Sequence, residues 1–205
     1  MTNSRTKSEQ KFVTPVGRLL SDYISKPSTK YSADGTPEWF CKIAFPQSEK
    51  SKLKAIAVEA ESLYRKVYKD AAKPPTFMPL IKDGTAYLES RLRQGKGCFE
   101  EFRNTYYLSV SSRFAPKFYG PTREEIDPGV FYCGCYVALK ITPFVYCTGA
   151  NEGCSAYIDG AQFVRHGEKL YTSNGGNPDG FEEFEEISMA SKDDFGSIDD
   201  DDIPF

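Results

Sequence analysis

Val130-Phe131-Tyr132-Cys133-Gly134-Cys135-Tyr136-Val137-Ala138-Leu139-Lys140-Ile141-Thr142-Pro143-Phe144-Val145-Tyr146-Cys147 alternates in polarity along most of its length. Phe131, Cys133, Cys135, Val137, Leu139, Ile141, Val145 and Cys147 make one apolar face, and Tyr132, Tyr136, Lys140, Phe144 and Tyr146 line the other. Successive side chains of a strand point to opposite sides, so this is the pattern of a long strand. One face is enough for a core. A second face made of rings and a cation must pack under another layer or meet a ligand.

The same pattern recurs upstream. In residues 104–114, Tyr106, Leu108 and Val110 share a face opposite Tyr107, Ser109, Ser111 and Arg113. In residues 38–45, Trp39, Cys41, Ile43 and Phe45 are core candidates, with Phe40 and Lys42 on the reverse. Residues 11–24 predict a first strand or strand pair, interrupted by Pro15 and Gly17. Between these strands the period becomes helical over residues 49–70, where Leu53, Ile56, Ala57, Ala60, Leu63, Tyr64 and Val67 form one stripe. Pro46 precedes this helix, Ser48 is placed to cap it, and Pro74-Pro75 end the segment. Residues 76–103 carry no clear period. There Asp83-Gly84 marks a turn, while Arg91, Arg93 and Lys96 beside Gly95 and Gly97 suggest a mobile basic loop, either a phosphate clamp or a solvated connector. Several short strands, one inserted helix and an aromatic sheet face predict a mainly β protein. A five-stranded oligonucleotide-binding (OB) barrel fits them better than a sandwich.

Charge divides the chain. Residues 1–176 hold 25 basic and 18 acidic residues, a net charge of +7, whereas residues 177–205 hold 11 acidic residues and one Lys, a net charge of −10. The expected organisation is therefore a binding domain over 1–176 and a flexible acidic tail over 177–205. Such asymmetry suits a basic body that binds a polyanion while its own acidic arm competes for the same surface. The last seven residues, Asp199, Asp200, Asp201, Asp202, Ile203, Pro204 and Phe205, place an apolar hook behind four carboxylates.

Other classes of function find little support. No apolar run approaches the roughly 20 residues needed to cross a bilayer, and the opening residues are polar, so a soluble, non-exported protein is expected. The six cysteines include no Cys-x-x-Cys pair and read as reduced core thiols. A zinc site from Cys133, Cys135, Cys147 and Cys154 would match no common spacing. A catalytic triad would have to use the single histidine, His166, which has no nucleophile motif near it. Gly175-Gly176 lacks the Lys and helix of a phosphate loop. Glu100-Glu101 and Glu124-Glu125 could hold magnesium, but neighbouring carboxylates are commonplace on solvated surfaces. The sequence predicts no enzyme, no cofactor and no metal.

Rings interleaved with cations suit single-stranded nucleic acid. Unpaired bases stack on Tyr and Phe at roughly 1–3 kcal/mol each, while Lys and Arg follow the phosphates. Neither contact reads sequence. The candidate DNA-binding residues are Phe40, Lys42, Tyr107, Arg113, Tyr132, Tyr136, Lys140, Phe144 and Tyr146. For any one ring, packing beneath the helix is the competing assignment.

Two resemblances sharpen this reading. The run of aspartates followed by Ile203-Pro204-Phe205 resembles the acidic tip of bacterial single-stranded DNA-binding proteins, which implies that the tip recruits replication and repair enzymes. Residues 131–137, then Tyr146, Gly149, Gly153, Ser155-Ala156 and 162–168, resemble the conserved half of a bacteriophage single-stranded DNA-binding protein family. Thr14-Pro15-Val16-Gly17-Arg18 is similar to that family's opening strand. The resemblance implies an oligonucleotide-binding barrel and a role in phage replication, recombination or repair, in the cytoplasm of the infected bacterial host. A homo-oligomer and weak duplex binding are compatible with it. The alternative is an adaptor that titrates host replication enzymes through the tail without binding DNA, which leaves the basic, aromatic body without a role.

Overall fold

The computed structural model describes residues 4–21, 23–30, 35–68, 73–148 and 151–170. Among them nine strands form one sheet: β1 (Ser4–Lys7), β2 (Phe12–Val13), β3 (Gly17–Leu19), β4 (Trp39–Pro46), β5 (Lys82–Asp83), β6 (Thr105–Ser112), β7 (Lys117–Tyr119), β8 (Tyr136–Thr148) and β9 (Asn151–Arg165). The hydrogen-bonded path runs β5-β6-β4-β3-β8-β9-β7. β1, β2 and β3 lie end to end, antiparallel along one edge of β8, from Cys147 to Tyr136. In the gaps between them Ser8 and Thr14 keep the ladder going by donating N–H to the carbonyls of Pro143 and Leu139, at 2.8 and 2.9 Å. Counted as one interrupted strand, β1–β3 join β4, β6, β8 and β9 as the five strands of an OB barrel. Ser155 Oγ of β9 donates to the Ser109 carbonyl of β6 at 3.5 Å where these two walls meet.

Gly17 sits where the first strand, paired with β8 on one edge, takes up β4 on the other. A Cβ there would lie 2.7 Å from the Ala44 carbonyl oxygen, so only glycine permits the approach. The inward residues are those the alternation selects. Cys41, Ile43, Phe45, Leu108, Val110, Val137, Leu139 and Ile141 are at most 1% exposed, and they fill the barrel. α1 (Lys50–Tyr68) lays Leu53, Ile56, Ala60, Leu63 and Tyr64 on this core.

Three sequence expectations need correction. Ser48 does not cap α1, because it lies inside a 3-10 turn (Gln47–Glu49) entered from Pro46. The long strand starts at Tyr136 rather than at Val130. Residues 128–135 are a 3-10 turn followed by a tight turn through Gly134 at φ +112°, which still delivers Phe131 and Cys135 to the core. The basic segment at 91–97 begins as the last turn of a second helix, α2 (Gly84–Arg93). Asp83 caps that helix by accepting from the Ala86 N–H at 2.9 Å, and Gly95 closes it in the left-handed conformation.

α2 builds a second, smaller core on the outside of the barrel. Leu88 packs there with Leu20, Ala44, Phe102 and Tyr107. All six cysteines are free thiols, and burial pushes the Cys41 and Cys135 thiols up. Among the described residues, no group of three or more His, Cys, Asp or Glu is gathered to hold a metal, and no helix is long and apolar enough to cross a membrane. The expected domain boundary at Gly176 and the acidic tail lie outside the described residues.

Candidate nucleic-acid interface

Antiparallel partners point to the same side of a sheet, so register decides which side chains become neighbours. On the outer face it produces one row across six strands: Lys82 (β5), Tyr107 (β6), Ala44 (β4), Arg18 (β3), Tyr136 (β8) and Arg165 (β9). Cations and rings alternate along it except at Ala44, where Leu88 and Phe102 pack close. The next rows on β4 and β6 pair Lys42 with Ser109 and Phe40 with Ser111.

At the β4–β6 end, Lys42 Nζ donates to the Tyr87 hydroxyl of α2 at 2.6 Å and stands 4.7 Å from that ring's centroid. Phe40 lies within 6.0 Å of the same ammonium. Tyr107 is 5% exposed beneath Tyr87 and Phe102, so it supports this end rather than offering a free ring. Its desolvation also pushes its phenol up. Burial, with the nearby Lys42 charge, holds the Lys82 ammonium below the usual lysine range. Beyond β6, Arg113 pairs with Glu38 at 3.2 Å. Next to it Phe114 is 83% exposed, held outward by Ser112 Oγ, which donates to the Phe114 carbonyl at 2.7 Å and accepts its N–H at 3.1 Å.

At the β8–β9 end, the Arg165 guanidinium lies 3.5 Å from the Tyr136 ring centroid and that of Arg18 lies 5.9 Å from it. Arg18 links the two ends, since it pairs with both Ala44 and Tyr136. Glu101 lies 3.4 Å from it and the Glu168 carbonyl 3.3 Å.

The other candidates fall elsewhere. Lys140 is exposed further along β8, opposite Val13. Phe144 is buried, stacked on Tyr157 at 4.3 Å, with Arg5 5.5 Å above its ring and Tyr146 6.2 Å away. Register sets Arg5 opposite Tyr146 and Lys7 opposite Phe144, a second cluster of rings and cations at the far end of β8. Tyr132 serves the backbone: its hydroxyl accepts from the Gly167 N–H at 3.1 Å and donates to the Gly167 carbonyl at 2.9 Å, with His166 stacked alongside. The nine candidates therefore divide among the β4–β6 wall, the β8–β9 wall and a tether of the segment after β9. Sequence reasoning missed Arg18, Lys82, Tyr87, Phe114 and Arg165 as members of the face. Of these, Phe114 carried a signal, an aromatic ring at a strand end beside Arg113. The tail residues Asp199 to Phe205 lie outside the described residues.

A five-stranded barrel with rings and cations on its outer wall defines the class of oligonucleotide-binding barrel proteins. Residues 11–196 match the family model described as Enterobacter phage Enc34, ssDNA-binding protein, and the chain belongs to that family. The family is one of phage single-stranded DNA-binding proteins, not of enzymes.

Solved structures share the fold. The single-stranded DNA-binding protein from bacteriophage Enc34 in complex with ssDNA aligns at TM-score 0.64 and 20% identity, over 78% of this chain and 89% of that one. The same phage's protein with a C-terminal truncation aligns at TM-score 0.64 and 18% identity, over 78% and 88%. Gp2.5, a single-stranded DNA-binding protein encoded by bacteriophage T7, aligns at TM-score 0.52 and 15% identity, over 91% and 100%. No curated protein sequence matches significantly.

Proposed function

We propose that this chain coats single-stranded DNA without reading its sequence, during phage DNA replication, recombination or repair in the cytoplasm of the infected cell. The observation that carries the reading is the row from Lys82 through Arg18 to Arg165, flanked by Phe40, Lys42 and Phe114. The Arg165 guanidinium and the flanking Phe40 and Phe114 rings offer planar stacking surfaces, and the row's cations lie where a phosphate backbone crossing the strands would pass. Its β4–β6 part lies on the second and third barrel strands, the face on which OB folds bind oligonucleotides, which supports the reading.

Residues 177–205 act as an acidic arm on this body. Their aspartates compete with phosphates for cations such as Arg113 and Lys140, and Ile203-Pro204-Phe205 recruits replication proteins when DNA displaces the arm. An apolar pocket with a basic rim on the partner would take such a hook.

The test is fluorescence anisotropy of a labelled oligothymidine titrated with the full chain and with a chain stopped after Gly176, with duplex DNA as competitor. The expected result is single-strand binding that tightens on truncation, more at about 20 mM than at about 200 mM salt, because salt screens the competing charges. Equal affinities of the two chains at both salts would refute the competing arm, and no binding by either would refute the DNA reading.

A further inference from the structure

Two rings capped by arginines stand on the outward face of β8. Tyr136, at its start, has the Arg165 guanidinium 3.5 Å from its ring centroid. Phe144, eight residues on, has that of Arg5 from β1 at 5.5 Å. Lys140 lies midway, four residues from each. Side chains alternate along a strand, so all three leave the same side of β8, while Val137, Leu139, Ile141 and Val145 are buried on the other. The row described above crosses the strands at Tyr136, whereas this second line runs along one of them.

The far plate is a stack of its own. Phe144 and Tyr157 lie 4.3 Å apart at an interplanar angle of 22°, and Tyr146 tilts against Phe144 at 6.2 Å. Phe144 stands outside the cluster that fills the barrel, and Tyr146 and Tyr157 are each partly exposed. Register adds Lys7 opposite Phe144. Arg5, Lys7 and Lys140 are exposed, and none of them is paired with a carboxylate among the described residues. Asp159, at the β9 bulge beside Lys140, is already neutralised by Lys11 at 3.3 Å and accepts from the Thr142 hydroxyl at 2.5 Å. Holding β1 against β8 requires the backbone ladder and the rings; it does not require three uncompensated cations on one side. A polyanion does.

We propose that the single strand held at the row turns at Tyr136 and continues along β8, so that Arg5, Phe144 and Tyr157 stack one of its bases while Lys140 and Lys7 meet its phosphates. The inference rests on the DNA reading above and adds a second stacking site to it. From Tyr136 to Phe144 the strand runs about 26 Å, at roughly 3.3 Å per residue. Stacked bases rising ~3.4 Å each cover that distance in about eight nucleotides, within the roughly 4–16 that an OB fold occupies.

The test is amide NMR and anisotropy on the full-length protein with an oligothymidine of about 12 nucleotides, long enough for both sites. The oligomer is expected to shift Arg5, Lys140 and Tyr157 together with Tyr136 and Arg165. Arg5→Ala should weaken binding roughly 5- to 150-fold, the loss of one stacked base. Arg5→Lys should keep the salt slope while losing much of the affinity, because lysine has no plane to stack. Lys140→Ala, which leaves β1 untouched, guards against an Arg5→Ala chain that loosens that strand, and it should lower the slope of log affinity against log salt by about 0.7. Shifts at Tyr136 and Arg165 with Arg5, Lys140 and Tyr157 unmoved would overturn the second site and leave the row standing. Unchanged affinity in Arg5→Ala together with an unchanged slope in Lys140→Ala would do the same. Two oligomers bound per chain at saturation would overturn the continuous route by assigning a second strand. Shifts at neither end would refute the DNA reading itself, and this proposal with it.

Discussion

Replacing Arg165 by alanine tests whether the β8–β9 end of the row carries DNA. The guanidinium lies 3.5 Å from the Tyr136 ring centroid, so it presents a flat, charged plate on top of an aromatic one. A base stacked on that plate contributes about 1–3 kcal/mol, and its loss should weaken oligothymidine binding roughly 5- to 150-fold. Removing one phosphate-neutralising charge should also lower the slope of log affinity against log salt by about 0.7. Arg165→Lys separates the two effects, because lysine keeps the charge but has no plane to stack: the salt slope should persist while much of the affinity is lost. The fold should tolerate both changes. An exposed cation–π contact contributes about 0.5–1 kcal/mol, which in a protein of this size lowers Tm by about 1–4 °C. Anisotropy titrations across a salt series, with thermal melts of each variant, provide the readout. Unchanged affinity and unchanged slope in both variants would show that DNA does not reach Arg165.

Lys82 provides a pH signature. Its ammonium is held below the ordinary lysine range, and a nearby phosphate favours the charged form, so DNA binding should take up protons. Affinity should therefore fall as pH rises toward the usual lysine value, and Lys82→Met should flatten that dependence; identical pH profiles for the two chains would place the phosphates elsewhere. Gly17→Ala forces a Cβ to 2.7 Å from the Ala44 carbonyl, an overpacking cost of about 1–3 kcal/mol, so Tm should drop by several degrees in a thermal melt, and an unchanged Tm would refute the close approach. Glu101 lies 3.4 Å from Arg18, both groups being about three-quarters buried, and Glu101→Gln should free that cation. Oligothymidine binding should tighten up to about fivefold, taking the pair at the roughly 1 kcal/mol upper end for partly exposed pairs; weaker binding would show that Glu101 positions Arg18 rather than competing for it.

The sequence made legible those elements that bury one face. β4, β6, the inward residues of β8 and the stripe of α1 all follow from period, because each segment commits its apolar side chains to a single core. β1 was hidden for the converse reason: Ser4–Lys7 is polar and joins the sheet through its backbone pairing with β8. α2 was hidden although its boundary residues were in view. Asp83 and Gly95 are its cap and its terminator, but with only Gly84 and Leu88 buried the ten-residue helix shows no apolar stripe. That omission carried over to the site. Alternation placed Tyr107 on the outer face correctly, and without α2 nothing indicated that Tyr87 and Phe102 cover it. Residues 130–135 misled in the other direction, since a turn through Gly134 can deliver Phe131 and Cys135 to the core as well as a strand can.

Arg18 and Arg165 lie in the stretches 14–18 and 162–168 that carry the family resemblance, but no residue pattern marks them as members of the face. Arg18 is the middle residue of the three-residue β3 and Arg165 the last of β9, each the lone cation of its strand. They come into one row because β3 pairs with β4 on one edge and β8 on the other, and because β9 returns along β8. The first strand of the barrel is thus the connector between two walls, and Arg18 is its outward side chain at the crossing. Gly17 allows that crossing, bringing the strand so close to Ala44 that no side chain fits. Arg18 in turn contacts Glu101, the Glu168 carbonyl and the Tyr136 ring. Those contacts come from the segment after α2, the segment after β9 and the barrel wall. Oxygen acceptors already meet the two terminal nitrogens of Arg18 while its Nε is buried without a partner, and a DNA phosphate would meet a cation that is preorganised but partly occupied. If the face binds DNA as proposed, exchange of one set of oxygens for another would let it hold phosphate while discriminating against partners that lack it.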